Sequence, residues 1–159
     1  MVESAHPMTR RSFVVLMVAA GLTATAAMAD EPTVAVVHKD PNCGCCTGWV
    51  RHLRDAGFAV RVEETSDLKA VRARFAIPEN LAGCHTAEIA GYLVEGHVPA
   101  AAIRRLLAER PNARGLAVPG MPAGSPGMEG GVPESYAVLL FGPNGSQPFM
   151  RFIGKQTVG

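Results

Sequence analysis

Hydrophobic and polar positions change period several times along this chain, and each change marks an element. Val34, Val36 and Val37 make 33–38 a short β-branched run that predicts a buried strand, broken by Asp40-Pro41-Asn42. Trp49, Val50 and Leu53 then recur at helical spacing over 46–56, with Gly57 as the stop. Over 59–64 Val60 and Val62 alternate with Arg61 and Glu63, which reads as a second strand. Asp67 can cap a helix carrying Leu68, Val71 and Phe75, which must end before Pro78. Residues 86–95 hold Ile89, Tyr92, Leu93 and Val94 around Gly91 and predict a bent strand or hairpin. Pro99 suits the first turn of a helix running to Arg110, with Ile103, Leu106 and Leu107 on one face and Pro111 as its stop. A low-complexity loop of glycine and proline covers 118–131. Strands follow at 136–141 and 149–153, around the turn signal Pro143-Asn144-Gly145. The order β-α-β-α-β-α-β-β predicts an α/β fold, a single domain with a mixed sheet flanked by helices. Neither an internal repeat nor a second domain is visible.

The first 29 residues break this pattern and read as an address. Arg10 and Arg11 precede an apolar run over 13–20, and Ala27-Met28-Ala29 is a small-x-small cleavage signal, so cleavage is expected after Ala29. Gly21, Thr23 and Thr25 interrupt the run short of the roughly 20 apolar residues a membrane span needs. An uncleaved anchor is the alternative. The stretch Thr9-Arg10-Arg11-Ser12-Phe13-Val14 also resembles a twin-arginine export signal, used for chains exported already folded, and the choice between that route and the ordinary secretory one stays open. Removal of the segment would leave 30–159, one domain's length, with basic and acidic side chains in balance. That balance excludes the basic footprint of a nucleic-acid binder or a polybasic membrane-surface protein.

Four cysteines in an exported chain would ordinarily be two structural disulfides. Here Cys43, Cys45 and Cys46 crowd into four positions, which suits a metal or an exchanging disulfide better than a staple. They lie between a strand and a helix start, where the helix N-terminus favours thiolate, the form that is both ligand and nucleophile. Gly44 is expected to let the backbone turn the sulfurs inward.

Cys84-His85 is a second soft pair, and the loop ahead of the third strand can return it to the first cluster. Cys84 could serve as a ligand, pair as a disulfide with one of the three, or be simply buried; His85 is balanced between ligand and bystander. Met121 and Met128 are normally core filler, but their loop offers no apolar face to bury them, and thioether sulfur selects Cu(I) where zinc seldom uses it. His38 is expected to be a satisfied polar group at a strand end, His97 to sit at a helix entry, and His52 to be solvated on a helix face.

Four segments together resemble the CopG-like family of periplasmic predicted metal-binding proteins associated with copper resistance. They are Lys39-Asp40-Pro41-Asn42-Cys43-Gly44-Cys45-Cys46 with Trp49, Gly83-Cys84-His85-Thr86, Glu95-Gly96-His97-Val98-Pro99, and 115–129 with Met121 and Met128. The resemblance implies a thioredoxin-like fold, a periplasmic location, and copper held by Cys43, Cys45, Cys46 and Cys84, with support from His85, Met121 and Met128. Cu(I) is the favoured state, and other periplasmic copper-handling proteins are the implied partners. The chain departs from ordinary thioredoxins in placing a third cysteine inside Cys-x-x-Cys and Cys84-His85-Thr86 where those enzymes carry a substrate-guiding proline.

Two functions follow. The first is a copper-binding protein that sequesters copper or cycles it between Cu(I) and Cu(II), whether or not that cycling makes it an enzyme; by affinity order copper outcompetes zinc at such a site. The second is a thiol–disulfide oxidoreductase using Cys43 and Cys46. A disulfide-stapled interaction module is a third reading that the crowded spacing disfavours.

Overall fold

The computed structural model describes residues 33–158 together with Met1, so the export segment expected at 1–29 lies, Met1 apart, outside the described residues. Among the described residues no helix is long and apolar enough to cross a membrane.

The strand β1 (Val34–Lys39) runs into the helix α1 (Gly44–Asp55) and returns as β2 (Ala59–Glu64), which pairs with β1 in parallel. Trp49, Val50 and Leu53 are buried on the inner side of α1, as their spacing requires. Asp67 caps α2 (Leu68–Arg74) by accepting from the Ala70 amide at 2.9 Å. The strands β3 (His85–Ile89) and β4 (Tyr92–Glu95) form a hairpin through Ala90 and Gly91, both at positive φ. Two positive φ values match the twist of the flanking strands, so the bent-strand alternative gives way to the hairpin. Pro99 stands one position before α3 (Ala100–Glu109), at its N-cap.

Eight strands make one mixed sheet in the order β2-β1-β3-β4-β5-β6-β7-β8. Three of them exceed what hydrophobic patterning predicts. The strand β5 (Gly115–Ala117) is only three residues long and pairs in parallel with β4, too short to show a period. Downstream of β6 (Ser135–Gly142), β7 (Gly145–Ile153) begins earlier than expected, because Ser146, Gln147 and Pro148 are exposed and read as loop. A register shift at Val138/Leu139 lets the ladder continue past Pro148, which lacks an N–H. The edge strand β8 (Gln156–Thr157) has two residues.

Alternation along the central strands divides the core between the two sheet faces. Val94 and Leu116 pack with Trp49, Leu53, Ile103 and Leu106, so α1 and α3 cover one face. Their neighbours Leu93 and Ala117 pack with Ile77, Leu81 and Phe141, and Phe75 at the end of α2 borders this smaller cluster. The result is an α/β domain with a mixed sheet flanked by helices. The Trp49 indole N–H donates to the Val98 carbonyl at 2.8 Å, which ties α1 to the segment leading into α3 just beneath the cysteines.

Candidate metal centre

The turn before α1 is built from side-chain hydrogen bonds. Asp40 accepts the Asn42 amide on its carboxylate at 2.8 Å and the Cys43 amide on its carbonyl at 3.1 Å. The buried Lys39 ammonium donates to the Asp40 carbonyl at 2.9 Å. Cys43 is thereby set as N-cap of α1, and its sulfur accepts from the Cys46 amide at 3.3 Å. Sulfur at this position takes one of the unpaired helix amides and lies at the positive end of the helix. Gly44 plays a smaller part than expected: a side chain there would meet open space. The glycines that matter sterically are Gly48 and Gly127. A Cβ on Gly48 would fall 2.9 Å from the Gly127 Cα, and one on Gly127 would strike the Cys45 carbonyl. These two glycines let the 118–131 loop lie directly on the first turns of α1.

Cys43 and Cys46 are joined by a disulfide, while Cys45 and Cys84 are free. Cys45 Sγ lies 3.5 Å from Cys43 Sγ and 3.8 Å from Cys84 Sγ. The expected return of Cys84 to the first cluster therefore takes place, and sheet register brings it about. Antiparallel pairing of β1 with β3 sets Lys39 opposite His85, so the residue before β3 meets the loop after β1. Ligand-capable atoms of Cys43, Cys45, Cys46 and Cys84 all lie within 4.8 Å of one another.

Cys84 also belongs to a second group, with His85 and His97, of the same compactness. Cys84 Sγ is 2.7 Å from His97 Nε2 and 3.7 Å from His85 Nδ1. The other His97 nitrogen, Nδ1, faces the Pro126 carbonyl at 2.8 Å. A carbonyl only accepts, so Nδ1 carries the proton and Nε2 presents its lone pair to Cys84. His97 is thus the site residue that hydrophobic patterning passes over as a helix entry. The β3–β4 hairpin offered the signal: pairing Ile89 with Tyr92 and Thr86 with Glu95, continued two steps further, sets Cys84 opposite His97.

His85 is fully buried, its ring 4.3 Å from that of Trp49 and 5.0 Å from that of His97. Burial first, then the neighbouring His97, push its pKa down to about 3, so the ring is neutral. Its Nε2 is buried with no hydrogen-bond partner among the described residues, a costly state for a polar atom unless something else binds there. Burial also lowers His97 and raises the Cys84 thiol to about 12, the Cys84 shift being reinforced by Cys45 and by the charge of Glu95. The metal-free pair is therefore a neutral thiol donating to a neutral imidazole.

Glu95 lies beneath this pair with its side chain inaccessible. It accepts from the Gly83 amide at 2.7 Å and the Thr86 hydroxyl at 2.6 Å, gripping the chain on both sides of Cys84-His85. Arg72 stands 3.6 Å from the same carboxylate and donates to the Gly83 carbonyl at 3.2 Å.

Met121 is exposed, and Met128 is half-buried just after Gly127. The loop that carries both touches the site through the Pro126 carbonyl and Gly127. His38 is satisfied away from the cysteines, between Glu63 at 3.4 Å and Glu88 at 3.3 Å. His52 is a correction: it is half-buried, and its Nε2 accepts from the Ala100 amide at 3.0 Å, capping the start of α3.

A family model described as "Protein of unknown function, DUF411" matches residues 81–128, from just before Cys84 to Met128. Two solved structures, forms 2 and 1 of Copper resistance protein CopG, are each 44% identical to the chain with a TM-score of 0.72. The form 2 alignment covers 77% of this chain and 99% of that one; the form 1 alignment covers 78% and 100%. No curated protein sequence matches significantly.

Proposed function

The chain belongs to the family of Copper resistance protein CopG, and from that premise we propose that it binds copper through its cysteine cluster in the periplasm. One observation carries the reading. The four-cysteine group and the Cys84-His85-His97 group share Cys84, so four sulfurs and two imidazoles form one continuous patch of soft donors. Such a set suits Cu(I) or zinc and disfavours hard cations. The buried His85 Nε2 has no partner among the described residues, and release of the Cys84 thiol proton on metal binding would free the His97 lone pair as a further donor.

Cys43, Cys45, Cys46 and Cys84 are the proposed thiolate ligands, with His85 and His97 as imidazole ligands and Met121 and Met128 as thioether donors from the overlying loop. Full use of the sulfurs requires reduction of the Cys43–Cys46 disulfide. Binding would release thiol protons, Cys84's among them, and so strengthens as pH rises. Sequestration, or cycling between Cu(I) and Cu(II), is the role proposed within copper handling. The order β2-β1-β3-β4, with α1 and α3 on one face and α2 beside the other, supports reading that part of the chain as thioredoxin-like. Export through the 1–29 segment is proposed from its sequence.

The test is an anaerobic Cu(I) titration of the reduced mature protein with a parallel count of free thiols. Tight stoichiometric copper that protects all four thiols is expected. Absence of tight copper, with Cys43 and Cys46 cycling as a disulfide, would overturn the reading. That second outcome favours an oxidoreductase, a reading supported by the disulfide at the start of α1. A protein-disulfide reductase assay with Cys43→Ser distinguishes it: turnover by metal-free protein, lost in the variant, would count for it.

A further inference from the structure

Within their compact cluster the four sulfurs are linked in succession by close contacts. Cys46 is bonded to Cys43, Cys43 touches Cys45 at 3.5 Å, and Cys45 touches Cys84 at 3.8 Å. Each non-bonded gap is a van der Waals contact between a sulfur and its next possible partner, and the two cysteines Cys43 and Cys84 differ in character. Cys43 sits at the positive end of α1 and accepts the Cys46 amide at 3.3 Å, whereas Cys84 faces the His97 lone pair at 2.7 Å. We propose that in the metal-free chain the disulfide migrates through these contacts, from Cys43–Cys46 to Cys45–Cys84 and back, by internal thiol–disulfide exchange.

The exchange has two steps and conserves atoms and electrons. In the first, the Cys45 thiolate attacks Cys43 Sγ; the Cys43–Cys45 bond forms and the Cys43–Cys46 bond breaks. The electron pair leaves on Cys46 Sγ, which takes up the proton that Cys45 gave up. Reduced Cys46 has the Cys84 carbonyl oxygen 3.4 Å away as an acceptor. In the second step Cys84, its proton passed to His97 Nε2, attacks Cys45 Sγ. The Cys45–Cys84 bond forms, the Cys43–Cys45 bond breaks, and the electron pair leaves on Cys43 Sγ. There the helix N-terminus and the Cys46 amide favour thiolate, and the proton from His97 completes the balance. One disulfide and one dithiol have exchanged places, with no external oxidant or reductant.

The consequence is that a chain oxidised by two electrons offers either of two dithiols. One is Cys43 with Cys46 at the head of α1; the other is Cys45 with Cys84 beside His97. The proposal concerns the metal-free protein and is read separately from copper affinity, so failure of either leaves the other intact.

The test starts from reduced, chelator-treated protein given one two-electron equivalent of diamide. Samples are acid-quenched over time, free thiols are alkylated, and linkages are mapped by tandem mass spectrometry. Both Cys43–Cys46 and Cys45–Cys84 are expected, in a ratio reached at a rate independent of protein concentration. In Cys84→Ser the Cys43–Cys45 linkage should appear beside Cys43–Cys46, isolating the first step. In Cys46→Ser the linkage should be shared between Cys43–Cys45 and Cys45–Cys84, isolating the second. Circular dichroism checks that each variant folds, and the native chain carries the test if one does not. Cys43–Cys46 alone after prolonged incubation, or a rate that scales with concentration, would overturn the proposal.

Discussion

The Cys84 sulfur and the His97 Nε2 face each other at 2.7 Å, and the Pro126 carbonyl on the opposite side of the imidazole decides which nitrogen does the facing. A loop backbone, a hairpin strand end and a cysteine loop thus fix one donor atom between them. Replacing His97 with Ala should leave the core packing of α1 and α3 in place and weaken Cu(I) binding by at least about 10-fold, since loss even of a ligand's supporting group costs about 10- to 100-fold. Competition against a coloured Cu(I) chelator measures this. Unchanged affinity would remove His97 from the ligand set.

Glu95 acts on the same pair from below. Its carboxylate satisfies the Gly83 amide and the Thr86 hydroxyl, and it has Arg72 beside it. Glu95→Ala leaves those buried donors without acceptors, a loss of about 2 kcal/mol or more. Glu95→Gln retains an amide oxygen for Gly83, and its NH2 can donate to the Thr86 hydroxyl oxygen, so most of the stability should return. Urea unfolding of the metal-free protein compares the two; equal losses would show that the charge, rather than the hydrogen bonds, holds the loop.

Much of this arrangement was legible in the sequence. The run Val34-Val36-Val37 followed by helical Trp49-Val50-Leu53 gave β1 and α1, and with them the position of Cys43, Cys45 and Cys46 at a strand-to-helix junction. Cys84 followed from the topology. What stayed hidden depends on registers and close approaches that no periodicity reports. His97 becomes a neighbour of Cys84 only through the hairpin register. His52 becomes a cap only because α3 begins where α1's side face passes. The 118–131 loop has no hydrophobic pattern because its docking depends on the absence of Cβ atoms at Gly48 and Gly127. Gly115 is similar: a Cβ there would collide with the Leu93 backbone, so the pairing of β5 with β4 depends on a residue without a side chain.

His52 should make stability depend on pH. Its Nε2 accepts from the Ala100 amide, and burial first, then Lys155, lower its pKa from the ordinary value of 6.5. The unfolded chain therefore binds more protons in the window just below 6.5, so stability rises with pH there. This contribution is present above pH 6.5 and is lost as pH falls through the lowered folded-state value. In His52→Gln the side-chain oxygen can still cap Ala100 but does not titrate, so the slope of unfolding free energy against pH should be shallower below 6.5. His85 and His97 also have lowered values and keep part of the slope. An identical slope in the variant would mean His52 is not a contributor.

The methionine loop is tested by separating metal from scaffold. Thioether sulfur prefers Cu(I) and contributes little to zinc, so Met121→Leu with Met128→Leu should weaken Cu(I) binding and leave zinc affinity nearly unchanged. Leucine is close in volume to methionine, so fold stability should change by less than about 1.5 kcal/mol. The loop can also be displaced without touching either sulfur. A methyl group on Gly48 would stand 2.9 Å from the Gly127 Cα, so Gly48→Ala must push the loop away from α1. If the methionines bind copper from that loop, Gly48→Ala should lower Cu(I) affinity further than the double methionine variant does, because the His97–Pro126 contact goes with it. Equal losses for copper and zinc in the methionine variant would take both thioethers out of the site. An unaffected Cu(I) affinity in Gly48→Ala would show that the loop covers the cluster without helping to hold the metal.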